Sequence, residues 1–235
     1  ARGDQAPFPS IVNATAAELD FFAHLGDTIY ADVESPILPG VEQAKTLGQF
    51  RAKHQEVYSA IAGLNALGDL RVSTVLLTTI DDHEVTNDFA RGADPASNPL
   101  FDDTGDFINE TKLYKRGLQA FVEYNPLWPT FYGSTGDPVT AFKRRLYRHK
   151  TFGRDAAVFL IDARSFRDEG LPEADISDPA SVLGFLIASF DPTRTMLSKV
   201  QLEDLKHDLL EAQADGVVWK FVMVPEPIQN LGVVA

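Results

Sequence analysis

Three carboxylates and an imidazole follow one another at Asp81-Asp82-His83-Glu84, directly after the apolar run Val75-Leu76-Leu77-Thr78-Thr79-Ile80. The run predicts a buried strand. Ionised groups are costly to desolvate, so four of them belong at a strand end, where they can face a metal or an anion. In that reading Asp82 binds a metal and His83 faces substrate as a proton donor. Asp81 or Glu84 orients its neighbours, and Asn87 and Asp88 are further oxygen donors. The plain alternative is a solvated acidic loop.

A second segment has the same design. Phe21-Phe22-Ala23-His24-Leu25 leads into Gly26-Asp27-Thr28-Ile29-Tyr30-Ala31-Asp32. Asp27 is a candidate metal ligand, and Tyr30 as phenolate suits a ferric ion, because a hard trivalent cation favours a hard anionic oxygen. Asp32 has an oxygen to offer a hard cation such as calcium. The alternative is a strand-to-turn corner with a surface tyrosine. Asp162-Ala163-Arg164-Ser165-Phe166-Arg167 follows a third apolar run. There a guanidinium suits a phosphoryl group, and Arg164 is preferred to Arg167 because it lies nearer the strand end.

Strands are expected at roughly 19–25, 73–80, 156–162 and 219–225. Helical spacing covers Glu42 to Leu67, Phe107 to Tyr124 and Met196 to Gln213. Strands alternating with helices predict an α/β layered fold. Ligands in open α/β sheets sit beyond the carboxyl ends of the strands, so the polar strand ends should gather at one sheet edge. The stretches 90–110 and 168–182 are expected to be long loops.

The net charge of −13 argues against a nucleic-acid backbone as main partner and fits cation binding. No apolar run is long enough to span a membrane. There is no cysteine, hence no thiolate metal site. His24 is expected to be a satisfied core histidine, and His54, His149 and His207 surface residues. Lys143-Arg144-Arg145, with Arg148 and Lys150, reads as a solvated basic face. Asn13-Ala14-Thr15 and Asn109-Glu110-Thr111 match the glycosylation pattern.

The order of these motifs, from Ala1-Arg2-Gly3-Asp4-Gln5 through the Asp27, Asp82 and Arg164 segments to Trp219-Lys220-Phe221-Val222-Met223-Val224-Pro225, resembles the PhoD-like alkaline phosphatases. These are also described as phospholipase D-type phosphodiesterases, within the calcineurin-like metallophosphoesterase superfamily. The resemblance implies one metallophosphoesterase domain over 1–235, with a four-layer αββα sandwich incomplete at both ends. It implies ferric iron with calcium, a phosphate ester substrate, and a secreted or periplasmic location. By motif, Asp27 and Tyr30 fall on the family's Gly-Asp-x-x-Tyr ligands. Asp82 takes the place of the superfamily's asparagine ligand, and His83 matches the substrate-contacting histidine. Arg164 falls on a phosphate contact. The family's upstream cysteine ligand and its late histidine motif are not in this sequence. The alternatives are a phosphodiesterase acting on phospholipid or teichoic-acid-type polymers, and a non-catalytic metal-binding segment.

Overall fold

The computed structural model describes residues 1–90, 93–101, 106–125 and 127–226. The apolar runs do form strands. β1 (Phe21–Leu25) pairs in parallel with β2 (Val75–Thr79), with Phe21 opposite Val75 and Leu25 opposite Thr79. β4 (Ala156–Leu160) pairs in parallel with β5 (Trp219–Met223) and antiparallel with β3 (Arg148–Phe152). Among the described residues the strands thus form two small sheets rather than one. β3 has no apolar run to announce it. Its sequence, Arg-His-Lys-Thr-Phe, is exposed over its three central residues, as an edge strand permits.

The side-chain alternation of β4 explains how the two sheets meet. Val158 and Leu160 point one way and bury against Leu77 of β2, with Phe21, Phe152 and Met223 around them. The Phe21 and Phe152 rings stack at 4.5 Å. Ala157, Phe159 and Ile161 point the other way, against Leu205 and Leu209 of helix α5 (Ser198–Ala214). Arg148 crosses between the sheets and donates to the Thr78 carbonyl. Burial lowers its pKa to about 10. It is not part of a solvated basic face. Arg145 is likewise engaged, pairing with Asp204 at 3.1 Å.

The long helical stretch from Glu42 divides in two. α1 (Leu47–Val57) starts at a capping box, in which Thr46 accepts from the Gln49 amide and Gln49 reaches back. It ends before Ala62 and Gly63, whose positive φ values of 52° and 81° turn the chain. α2 (Ala66–Ser73) then leads directly into β2. The 107–124 stretch opens with a 3₁₀ turn, Ile108–Glu110, and then Thr111 caps α3 (Lys112–Tyr124). α4 (Pro179–Ser189) was expected to be loop in its first residues. Asp178 caps it by accepting from the Ala180 amide. Two 3₁₀ turns, Pro95–Ser97 and Pro99–Phe101, interrupt the 90–110 stretch. Among the described residues no helix is long and apolar enough to cross a membrane.

The largest core cluster joins Phe50 of α1 and Phe121 of α3 to Ile29 and Ile80, which follow β1 and β2. Two sequence expectations fail nearby, and one of the two glycosylation-pattern matches is buried. Asn109 is buried and donates to the Val139 and Ser165 carbonyls, so its side chain is not available for glycosylation. His24 leaves Nδ1 buried without a partner rather than satisfied. His54 is fully buried, not on the surface, and stacks on Tyr124 at 5.0 Å with neither ring nitrogen hydrogen-bonded. Its place on the inner face of α1 explains this, since an uncharged imidazole behaves as an aromatic ring in a core.

Burial lowers the His54 pKa from 6.5 to about 3, with the Arg71 charge adding to the effect and Glu123 opposing it. A folded-state pKa below the unfolded value means that the unfolded chain binds the proton more readily. Stability attributable to His54 is therefore intact above pH 6.5 and is lost as pH falls toward about 3. His54→Leu should leave the unfolding midpoint near pH 7.5 little changed, and should flatten its decline between pH 6.5 and 4 by an amount on the order of a few kcal/mol. Urea unfolding at a series of pH values measures this. Parallel curves for the two proteins would refute it.

Candidate metal centre

Two turns are held together by one carboxylate. Glu84 is fully buried, and its oxygens accept from the Asp27 amide (3.3 Å), the Thr28 amide, the Thr28 hydroxyl (2.6 Å) and the Asp81 amide (2.8 Å). Burial pushes its pKa up to about 7, against the Thr28 and Asp81 donors, which pull the other way. The turn after β1 can approach that after β2 only because residue 26 is glycine. A Cβ there would lie 2.4 Å from the Asp81 Cβ, and φ is +78°. Behind the loop, Gly117 of α3 brings that helix against the Glu84 carbonyl, which a Cβ would meet at 2.6 Å.

These constraints place Asp27, Asp82 and His83 so that one ligand atom of each lies within 4.8 Å of the others. Asp27 sits at φ +51°, an uncommon conformation for a residue with a side chain. Its Oδ2 accepts the Tyr30 hydroxyl at 2.7 Å, while Oδ1 is buried with no partner. A buried carboxylate oxygen without a donor is a costly arrangement that a cation relieves. Asp82 Oδ1 accepts from the His83 amide (3.0 Å) and Oδ2 from the Asp88 amide (2.6 Å). By donor chemistry the cluster fits a hard or borderline cation held by carboxylates and an imidazole.

Tyr30 stacks on the His83 ring at 3.9 Å. Burial and the hydrogen bond to Asp27 raise its pKa, so without a cation it is a phenol that donates to Asp27. His83 Nδ1 lies 2.7 and 2.9 Å from the two Asp32 oxygens. Burial alone would lower the His83 pKa, but Asp32, with Asp82 and Asp27 behind it, raises it overall. Asp32 also accepts from the Asn87 amide at 2.7 Å, and the Asn87 side chain donates to Asp88. Asp32 is therefore held against His83, and Asn87 against Asp32 and Asp88.

Arg164 brings in the other sheet. Its Nε lies 2.7 Å from Asp81 and 2.8 Å from Glu226, and its remaining nitrogens are 3.6 Å from Asp82 and 3.9 Å from Asp88. Arg167 also pairs with Glu226. Burial pushes the Asp81 carboxyl up to about 6, partly offset by Arg164. The turn that aims Arg164 depends on Asp162, which accepts from the Arg164 and Ser165 amides, and on Gln201 of α5, which bonds the Asp162 main chain on both sides. Neither Gln201 nor Glu226 stands out in the sequence. Contact across elements, which spacing does not encode, makes them matter. His149, Asp208 and Glu211 form a second close group, in which Asp208 accepts from Tyr147 and His149.

Fold and donor set together define the class: an α/β protein whose strand ends carry a metal-competent carboxylate–imidazole cluster beside a guanidinium. The family model described as PhoD-like phosphatase matches residues 4–232, and the chain belongs to that family. It is 25% identical over 232 residues to alkaline phosphatase D of Bacillus subtilis (strain 168), covering 91% of this chain and 36% of that protein. A solved structure of PhoD superposes with a TM-score of 0.62 at 22% identity, over 94% of this chain and 39% of that one. The chain thus spans little more than a third of the length of these relatives.

If Glu84 holds the two turns together, Glu84→Ala leaves several buried donors unsatisfied and should cost at least about 3 kcal/mol. Gly26→Ala should be similarly damaging, through the clash at Asp81. Denaturant unfolding measures both. A loss below about 1 kcal/mol for each would mean that the turns are held by other contacts.

Proposed function

We propose that the Asp27–Asp82–His83 cluster is the centre of a metal-dependent phosphoester hydrolase of the alkaline phosphatase type. The observation that carries this is the close approach of Asp27, Asp82 and His83, with Asp27 Oδ1 buried and partnerless and Arg164 beside Asp82. In this reading Asp27, Asp82 and Tyr30 hold ferric iron, and calcium is bound close by. Asp32 and Asn87 are the remaining oxygen candidates, although their contacts to His83 and Asp88 favour a positioning part. When bound, the metals supply Lewis-acid polarisation of the phosphoryl oxygens.

The chain's own groups do the rest. Asp32 fixes His83 by its Nδ1 and favours the protonated ring, which leaves Nε2 to donate to the leaving oxygen. Arg164 exchanges contacts with Asp81 and Glu226 for the phosphoryl group, as a guanidinium fork permits. The packing of β4 against β2 on one face and α5 on the other supports a four-layer αββα arrangement within one domain over 1–235. A secreted or periplasmic location accompanies the family reading.

His83 is close enough to the two carboxylates to be a ligand itself, and this is the second reading. His83→Ala separates the two. As a proton donor its loss should lower turnover about 100-fold or more with metal content unchanged. Metal content falling in step with rate makes it a ligand. Tyr30→Phe should abolish or shift the visible charge-transfer band of the iron-loaded protein, and an unchanged band excludes Tyr30. Elemental analysis together with turnover of a chromogenic monoester and diester tests the activity. A metal-loaded protein that turns over neither ester defeats the proposal.

A further inference from the structure

Outside the acidic site, one cavity has a lining opposite in character to the chain. It has a volume of about 300 Å³, lies between α3 and the 131–144 segment, and has Leu118, Val122, Phe131 and Phe142 as apolar walls. Lys115 and Arg144 also line it, and no carboxylate does, although acids outnumber bases by 34 to 21 in the chain. Of three successive cations, two are neutralised: Lys143 pairs with Glu110 at 2.6 Å and Arg145 with Asp204 at 3.1 Å. Arg144 is half-buried, with its guanidinium 5.6 Å from the centre of the Phe131 ring and reaching only the Leu127 carbonyl at 3.5 Å. No carboxylate among the described residues pairs with it. Burial lowers its pKa, which marks a cation partly stripped of water without a counter-charge.

We propose that this cavity is a second ligand site, for a small amphiphilic anion. The aromatic or aliphatic body lies against Phe131, Phe142, Leu118 and Val122, and a carboxylate, sulfonate or phosphate group sits on Arg144, with Lys115 at the rim. Charge complementarity commits the site to an anion, since a cation or a neutral body leaves Arg144 unpaired. The volume suits a fragment-sized molecule. The Arg144 fork suits a planar or tetrahedral oxyanion, and the ring beneath it holds its plane. The site does not depend on the metal-centre reading. The two share a wall: Tyr114 and Asn109 line the cavity and donate to the hydroxyl and the carbonyl of Ser165, the neighbour of Arg164.

The probe is 8-anilinonaphthalene-1-sulfonate, with uncharged N-phenyl-1-naphthylamine as its counterpart. Titrated into the 235-residue chain, the sulfonate should bind at one saturable site and at least several-fold more tightly than the neutral dye. Arg144→Gln should weaken the sulfonate about tenfold or more and leave the neutral dye within about twofold. Lys115 is exposed, so Lys115→Gln should keep the unfolding midpoint while weakening the sulfonate two- to threefold. Phe142→Ala, at a ring 71% exposed, should weaken both dyes. Ile187→Glu on the exposed face of α4 should weaken neither. The proposal is overturned if Arg144→Gln and Lys115→Gln leave sulfonate binding intact, if the neutral dye binds as tightly, or if Ile187→Glu removes the binding.

Discussion

Donors from two chain segments almost sixty residues apart converge on the Glu84 carboxylate. The parallel pairing of β1 and β2 brings their ends level, with Leu25 opposite Thr79, but pairing alone does not fix the turns beyond. Glu84 does that by satisfying amides of both turns at once, in a place where water does not reach. A buried acceptor of this kind is rigid, because losing any one of its donors strands a polar group. Gly26 supplies the close approach and Gly117 supplies the backing. Every distance within the Asp27–Asp82–His83 cluster depends on this tie.

The charges around it are arranged so that all but one are answered. Asp81, Asp82, Asp88 and Glu226 surround Arg164, and Asp32 answers His83. Within the Asp27–Asp82–His83 cluster it is Asp27 that keeps an oxygen buried and bare. The shortfall is one of positive charge, in a chain that carries −13. In the proposed reading a cation answers the bare Oδ1, and Tyr30, as a ligand, gives up the proton it donates to Oδ2.

Much of this was legible in the sequence, for a physical reason. Apolar runs that end abruptly in carboxylates mark strand ends, and Gly26-Asp27 and Asp81-Asp82-His83-Glu84 both do so. Gly216 at φ +77° ends α5, near the limit of the Met196 to Gln213 helical spacing. What failed depends on contacts distant in sequence. His54 shows the same residue type as an exposed histidine, and only the packing of α1 on α3 buries it. β3 is polar because it is an edge, so periodicity does not reveal it. Arg148 sits in a basic run yet passes between two sheets. Asn109 carries a surface pattern and is in fact a core hydrogen-bond donor.

The Asp32–His83–Tyr30 arrangement shows how one geometry serves two demands. Asp32 holds Nδ1 and favours a charged imidazole, while the Tyr30 ring lies against the face of the same imidazole at 3.9 Å. The tyrosine oxygen is meanwhile held by Asp27. Replacing the Tyr30 proton with a cation would turn an acceptor pair, phenolate and Asp27, toward one ion. It would also place that positive charge beside the imidazolium that Asp32 stabilises. The two effects oppose each other at His83, so Asp32 must be close for the ring to remain protonated next to a metal. Its two short contacts to Nδ1 meet that requirement in the proposed reading.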